Sequence, residues 1–517
     1  MTVNSHKSRF APVEAGARRL GRLGIGPWRI LTFAAVLFLA SWNLTGWPPT
    51  WFDEGSHLMV PKTLVRLGVY ADYDSSGFRY FGPTLGVGPT VLLPIAGMFE
   101  VAGVGLLQAR AVMALYLVLA VVAFHSLARR LTCDGAALLA AILLVIAPAV
   151  GTLEFGRQVL GEVPALCFLC LGLNVLLSAG GTWRLPRLLA AGMLLGLAAV
   201  TKYQLLGVVL LGLGIAWVMS RWRGGEPLRV FVVPAVAVLG IFAAWQVCLF
   251  GYLGPSSFAD NVRFFRQAAG GAAFAFSSER MSAAVRQLLE PGILLGAMVP
   301  AIAYGTARAL RSDDRAHAWR MVVGFALAAL SWFVVASIGW RRYAYPGVAL
   351  ACIAAAALLV EGLGLQARTE RSERPALLPW VAAAWIAAMV LMPLPVVLPR
   401  ILAPPPQDAR SMADAVSREV APDATIAAWE PEMTFLTDHR YRVPPQNLLP
   451  VAVAHVWAAG PPPSSQYDFM AGGAPDYVLE GPFARGIGLY PQDRLHQEYE
   501  RVDSHGPYVL FRRKPGK

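Results

Sequence analysis

The sequence predicts an α-helical polytopic membrane protein. Hydrophobic residues fill 56% of the 517 positions and charged residues only 15%, where a soluble protein carries about 25% charged residues. Several apolar runs reach the roughly 20 residues that cross a bilayer core. Basic residues between those runs concentrate on one side. The net charge of +12 therefore reads as a topology signal and not as a nucleic-acid footprint.

Spans are expected at 28–47, 108–128, 136–153, 163–180, 187–201, 204–220, 228–250, 291–309, 321–339, 345–364 and 378–399, about eleven in all. The run 84–104 contains Pro89, Pro94 and Glu100, breakers that suit a re-entrant or interfacial helix better than a lipid-facing span. If it does not cross, the loops holding Arg129, Arg130, Arg221, Arg308, Arg311 and Arg315 share the side of the N-terminus, as the positive-inside rule asks. The N-terminus is then inside and the C-terminus outside, in the plasma (inner) membrane. Residues 1–27 read as a basic cytoplasmic tail. They do not read as a cleavable signal peptide, because the apolar run that follows is span-length.

Residues 28–399 form the membrane domain, with external loops at 48–107, 154–162 and 251–290. The segment 251–290 mixes Phe258, Phe264, Phe265, Phe274 and Phe276 with Arg263, Arg266 and Arg280. That mixture suits an interfacial anchor or a lid. Past Pro404-Pro405-Pro406, residues 400–517 read as a small extracytoplasmic α/β domain. An amphipathic helix is expected over 407–420 and strands over 424–429, 477–480 and 508–512. The five cysteines suggest no disulfide framework, and Cys167 and Cys170, inside an apolar helix, read as core packing.

Charge at the membrane edge marks the candidate chemistry. Asp53 and Glu54 follow the first span within Trp51-Phe52-Asp53-Glu54-Gly55-Ser56-His57. Two adjacent carboxylates there are costly unless they face water or act chemically, although acids also suit the first turn of a helix starting near Gly55. Under the expected topology Arg157, Glu162, Lys202, Arg341, Arg342 and Tyr343 lie on the same external side. Snorkelling or interfacial anchoring is the alternative for the cations. His57 falls four residues after Asp53, so a divalent metal is conceivable, but an external histidine is expected to be solvated.

These motifs resemble the GT-C fold glycosyltransferases that use polyprenyl-phosphate sugars, in particular the aminoarabinose transferases and the dolichyl-phosphate-mannose-type protein O-mannosyltransferases. The resemblance rests on the external carboxylate pair and on Arg79-Tyr80-Phe81-Gly82-Pro83. It rests further on Gly161-Glu162-Val163-Pro164, on the helix ending Thr201-Lys202-Tyr203, and on Arg341-Arg342-Tyr343-Ala344-Tyr345-Pro346. It implies a GT-C-like helical bundle and inverting transfer of a sugar, mannose or aminoarabinose among the options, from a polyprenyl-phosphate donor. The acceptor would be an extracytoplasmic lipid, glycan or protein. By that resemblance Asp53 is the base, Glu54 and Glu162 organise the catalytic site, and Lys202 and Arg342 bind the donor phosphate. Arg79 and Arg157 are further phosphate candidates, and Tyr80 and Tyr343 are substrate-binding. The aminoarabinose transferases carry Glu-Lys before the proline where this chain has Gly82, so Arg79 is the replacement expected. The resemblance implies no definite cofactor and leaves a divalent metal open. A transporter or flippase is the rival class, with no internal repeat in its favour.

Overall fold

In a computed structural model, residues 26–80, 86–178, 184–222, 225–268, 276–363, 377–458 and 460–515 are described. The membrane part begins with α1 (Gly26–Ser41), α2 (Phe52–Leu67), a hairpin of β1 (Asp72–Asp74) and β2 (Gly77–Arg79), and α3 (Pro89–Ala102). It continues with α4 (Leu106–Leu131), α5 (Asp134–Ile146), α6 (Thr152–Arg157), α7 (Glu162–Leu177), α8 (Leu185–Thr201) and α9 (Gln204–Arg221). Next come α10 (Arg229–Ala268), broken at Gly254, α11 (Ser278–Leu289), α12 (Met298–Ala309), α13 (Ala316–Val335), α14 (Tyr345–Ala357), α15 (Leu377–Leu391) and α16 (Leu394–Leu402).

Six helices among the described residues have the length and apolarity to cross a membrane, and five apolar helices are shorter. The shorter ones have local causes. α5 stops at Ile146 because Pro148 cannot donate to the ladder and Gly151 turns left-handed at φ 79°. α8 packs closely on α10, where a Cβ on Gly192 would lie 2.6 Å from Ala237 Cβ and one on Gly196 2.8 Å from Ile241 Cβ. Small residues of this kind are what let membrane helices approach. Cys167 and Cys170 are buried in the same core.

Opposite ends of the bundle carry different chemistry. At one end Arg29 meets Asp134 (2.5 Å), Glu361 accepts from Cys133 N (2.7 Å), and Glu226 meets His317 (2.7 Å). The loops rich in arginine gather here. At the other end Arg110, near the start of α4, binds Glu54 of α2 and donates to Leu44 O (2.9 Å) just past α1. The chain from 44 to 110 therefore leaves and returns at one end of the bundle. α3 stays there too: Gly88 N before it donates to Thr201 O (3.0 Å), and Phe99 stacks on Phe435 of the C-terminal part at 6.2 Å. The segment 251–268, expected as a loop, runs on as the second limb of α10 after Gly254, with Pro255 at its start.

The C-terminal part contains α17 (Asp408–Glu419), β3 (Thr425–Ala427), α18 (Pro431–Leu436), β4 (Arg440–Arg442) and α19 (Leu449–Ala458). It closes with β5 (Tyr477–Glu480), α20 (Pro482–Gly486), α21 (Gln492–Glu498), β6 (Tyr499–His505) and β7 (Tyr508–Arg513). The sheet order is β4-β3-β5-β7-β6, parallel across β4-β3-β5 and antiparallel beyond. β4 and β6 escape the sequence reading. Both are edge strands rich in charge, as edges that avoid aggregation are, and β6 carries an irregularity between Arg501 and Asp503.

α18 seats this sheet on α2. A Cβ on Gly55 would lie 2.2 Å from Glu432 N, so only glycine allows the contact. Lys62 Nζ donates to the carbonyls of Thr434 (3.0 Å), Phe435 (3.0 Å) and Thr437 (3.1 Å), the open end of α18. At the other end of α18, Glu430 accepts from Ala484 N (2.9 Å) and Glu432 from Tyr508 OH (2.7 Å), both carboxyls fully enclosed. Burial pushes Glu432 up to about 7, and burial with the neighbouring Glu432 charge holds Glu430 well above the usual carboxylate range. A carboxyl whose pKa is raised by folding opposes folding as it ionises, so stability should fall as pH climbs from the ordinary 4.5 through about 7 for Glu432, and the Glu430 share of the fall continues at higher pH. Glu432→Gln should flatten that fall in thermal unfolding of detergent-solubilised protein. An unchanged slope would assign it to another group.

Candidate active site

The first turn of α2 sets the geometry. Its 3.6-residue repeat puts Asp53 and His57 on one side, Glu54 on a second and Phe52 and Ser56 on a third. Asp53 Oδ2 lies 2.6 Å from Arg342 Nη1. Arg342 sits in the 3-10 turn Arg341–Ala344 that leads into α14. Its guanidinium lies 3.8 Å from the Trp340 ring centroid and 5.7 Å from that of Trp51, a stacked seat that suits arginine and not lysine. Glu162, first residue of α7, holds Lys202 Nζ at 2.5 Å and stands 3.9 Å from Arg342 Nε. Lys202 is the residue where α8 ends. Gly161 permits this pair, since a Cβ there would lie 2.7 Å from Lys202 Cγ.

Four segments distant in sequence thus meet in one group of two carboxylates and two cations. Side-chain exposure ranks them: Asp53 21%, Arg342 12%, Lys202 9% and Glu162 3%. Asp53 is the member most open to an incoming molecule. Beneath the cluster a cleft runs between Leu205, Val208, Ala329, Trp332 and Pro346, with Tyr343 on its wall. Its head is ionic and its body apolar.

Other expected residues stand apart. Glu54 is 0% exposed and bidentate to Arg110 (2.8 and 2.5 Å), and it also accepts from Val159 N (3.2 Å). It faces no cleft and ties α2 to α4. Arg157, a phosphate candidate by sequence, is 0% exposed and donates to the carbonyls of Leu39, Trp47 (2.9 Å), Trp42 (2.8 Å) and Asn43 (3.0 Å). It caps the end of α1, and its donors point away from the cluster. Arg79 pairs with Asp72 (2.6 Å) and Asp74 (3.1 Å) in the hairpin, facing the C-terminal part and not Lys202. Tyr80 is exposed and packs edge-on against Tyr252 at 6.2 Å. The stretch Phe81-Gly82-Pro83 lies outside the described residues.

His57 is buried and not solvated. Its Nδ1 lies 2.6 Å from Val159 O, and burial holds its pKa below 6.5 against the opposing pull of Asp53. α2 therefore grips both sides of the Val159 peptide, through Glu54 and His57, just ahead of Glu162. No group of three His, Cys, Asp or Glu side chains comes together as a cation site among the described residues. Arg110 is the residue that sequence reading missed. Its signal was available: the one arginine inside the apolar run 106–128 needs a partner.

Residues 87–250 match the sequence profile of the dolichyl-phosphate-mannose-protein mannosyltransferase family. No protein of curated function matches the chain. Among solved structures, ArnT from Cupriavidus metallidurans bound to undecaprenyl phosphate aligns over 95% of this chain and 99% of its own, with 16% identity and a TM-score of 0.60. The chain has the GT-C fold. The Archaeoglobus fulgidus oligosaccharyltransferase tethered with an acceptor peptide aligns over 95% of this chain and 74% of its own, at 15% identity and TM-score 0.55. AglB from the same organism, in complex with an inhibitory peptide and a dolichol-phosphate, aligns at 14% identity and TM-score 0.53.

The separation of roles between Asp53 and Glu54 predicts different defects. Arg110→Met strands the Glu54 charge in a dry site and should lower stability by about 3–5 kcal/mol. Combining it with Glu54→Gln should recover much of that loss. Denaturant unfolding in detergent measures both, and equal stability of the single and double variants would show that the pair does not couple.

Proposed function

We propose that this chain is a membrane glycosyltransferase that moves one sugar from a polyprenyl-phosphate donor to an acceptor outside the cytoplasm. One observation carries the reading: the cleft with Lys202 and Arg342 at its head and apolar walls below. A phosphate on an isoprenoid chain has that same polarity. Undecaprenyl phosphate in ArnT and dolichol-phosphate in AglB are ligands of proteins with this fold, which supports the assignment.

Asp53 is the base in this reading. In the resting cluster it neutralises Arg342. An incoming phosphate would draw the guanidinium to its own oxygens through charge-assisted hydrogen bonds, leaving the Asp53 carboxylate free. The acceptor hydroxyl then gives its proton to Asp53 while its oxygen attacks the anomeric carbon from the face opposite the phosphate. The carbon–oxygen bond to phosphate breaks, and the electron pair stays on the polyprenyl phosphate. Lys202 and Arg342 stabilise the added negative charge. Glu162 holds both cations in place between turnovers.

The proposed topology has about eleven spans with the ionic cluster and residues 400–517 outside, which places the acceptor in the same compartment. Reporter fusions after Glu54, Gln158 and Gln407 should report outside, and those after Cys133 and Ala316 inside. An inside signal at Gln407 would overturn the topology.

Asp53→Asn keeps the side-chain shape but removes the base, so transfer should fall by roughly 100-fold or more with donor-lipid binding retained. Lys202→Ala and Arg342→Ala should each weaken binding of undecaprenyl phosphate by roughly tenfold, with the double variant less than additive because one phosphate serves both. Purified full-length protein and native mass spectrometry give the binding. Wild-type lipid affinity in both alanine variants would place the phosphate elsewhere.

A further inference from the structure

The C-terminal part contains one stretch unlike the rest of it. From Val443 to Tyr467 there is no Asp, Glu, Lys or Arg, although Arg440 and Arg442 stand before it and Asp468 follows. The stretch holds α19. In the same part of the chain α17 intersperses Asp408, Arg410, Asp414 and Arg418 among its apolar residues, as a helix between core and water does. α19 is apolar on every side. Ala452 is buried, and Leu449 and Val451 pack on the core that contains Phe469 and Tyr490. Across the helix Pro450 and Val453 are half-buried and Ala454 is exposed, and in the last turn Val456 is 49% exposed. His455, the one polar side chain of α19, is satisfied by its own chain: its Nδ1 lies 2.8 Å from Gly460 O.

The surroundings say what covers that face. α19 packs against α10. The first limb of α10 is bare along most of its length, with Val236 61% and Val247 69% exposed, and a bare apolar span faces acyl chains. The second limb leaves that line. Residues eight apart in an unbroken helix are separated by about 12 Å along the axis, yet the rings of Phe250 and Phe258 lie 5.5 Å apart across the break at Gly254. α10 therefore bends aside where its span ends, and α19 joins the bundle against this bent helix. The backbone of the stretch is also prepared for lipid. Pro444, Pro445, Pro450, Pro461, Pro462 and Pro463 have no N–H, and Gly460 N donates to Ala454 O (3.1 Å), so few donors remain for lipid to leave unpaired.

We propose that α19 is seated in the boundary between headgroups and acyl chains, so that the C-terminal part rests on the bilayer as well as on α2. The partner is the lipid surface itself. With no basic residue in the stretch, apolar burial holds it there and headgroup charge does not. Continuity with the bare face of α10 selects lipid over a second copy of this chain. The inference concerns attachment and is independent of whether the chain transfers a sugar.

The test uses the full chain in phosphatidylcholine nanodiscs. Cys133→Ser and Cys248→Ala leave only the buried thiols of Cys167, Cys170 and Cys352. Into this background Val453→Cys, Ala454→Cys, Val456→Cys and, as an exposed reference outside α19, Asp423→Cys are introduced one at a time and labelled with a fluorophore. Nitroxide-bearing lipid should quench the α19 labels at least about threefold more than the Asp423 label, and iodide in the water at least about threefold less. Salt at about 0.5 M, or added phosphatidylglycerol, should change those ratios by less than about 1.5-fold. Three positions keep the test decisive if one variant does not accumulate. Iodide quenching of the α19 labels equal to that of Asp423 overturns the proposal. Shielding from both quenchers also overturns it and assigns the face to protein. Loss of lipid quenching in salt overturns the apolar seating.

Discussion

Charges taken out of water must neutralise one another, and one end of this bundle is organised around that requirement. Asp53, Glu162, Lys202 and Arg342 come from α2, α7, the end of α8 and the turn before α14. Each is partly or wholly removed from solvent. Enclosing such charges is costly unless an opposite charge lies beside them. The four segments are thereby held in one arrangement, and the arrangement creates a cleft with an ionic head. In the proposed reaction the same charges serve chemistry, because a lipid phosphate can exchange into the pairing that already exists.

Two arginines outside that cluster do a different job. Arg110 holds Glu54 with a two-pronged contact and reaches back to Leu44 O. Arg157 gathers four carbonyls at the end of α1. Both satisfy backbone or carboxylate oxygens that would otherwise be buried without donors. Together with His57 and Glu54, which grip the Val159 peptide from either side, they fix α2 relative to α4 and α7. Asp53 is positioned by this frame. The adjacent acid Glu54 is part of the frame itself, and adjacency in sequence did not mean adjacency of role.

The C-terminal part is joined to the same helix. Gly55 admits the start of α18, and Lys62 caps its end. A helix that carries the candidate base on one face and the domain contact on another couples the two parts of the molecule physically.

Much was legible before any coordinates. Long apolar runs announced the helices, since a bilayer demands internally bonded segments of a given length. The paired acids at 53–54, Glu162, Lys202 and Arg342 stood out because charge at a membrane edge is costly. Their lateral pairing was not legible: which cation meets which acid depends on helix packing between residues up to hundreds of positions apart. For that reason Arg157 and Arg79 were indistinguishable in sequence from Arg342, although one caps α1 and the other belongs to the hairpin. Arg110 carried a signal that composition alone could not interpret. β4 and β6 were hidden because edge strands lack the apolar alternation that marks a buried one. By itself, then, the sequence determined a set of apolar helices, a C-terminal segment of different character and a short set of costly charges, because local length and polarity settle those. Only the tertiary structure decided which charges share a cleft and which serve as braces, because burial and partner distance are properties of packing.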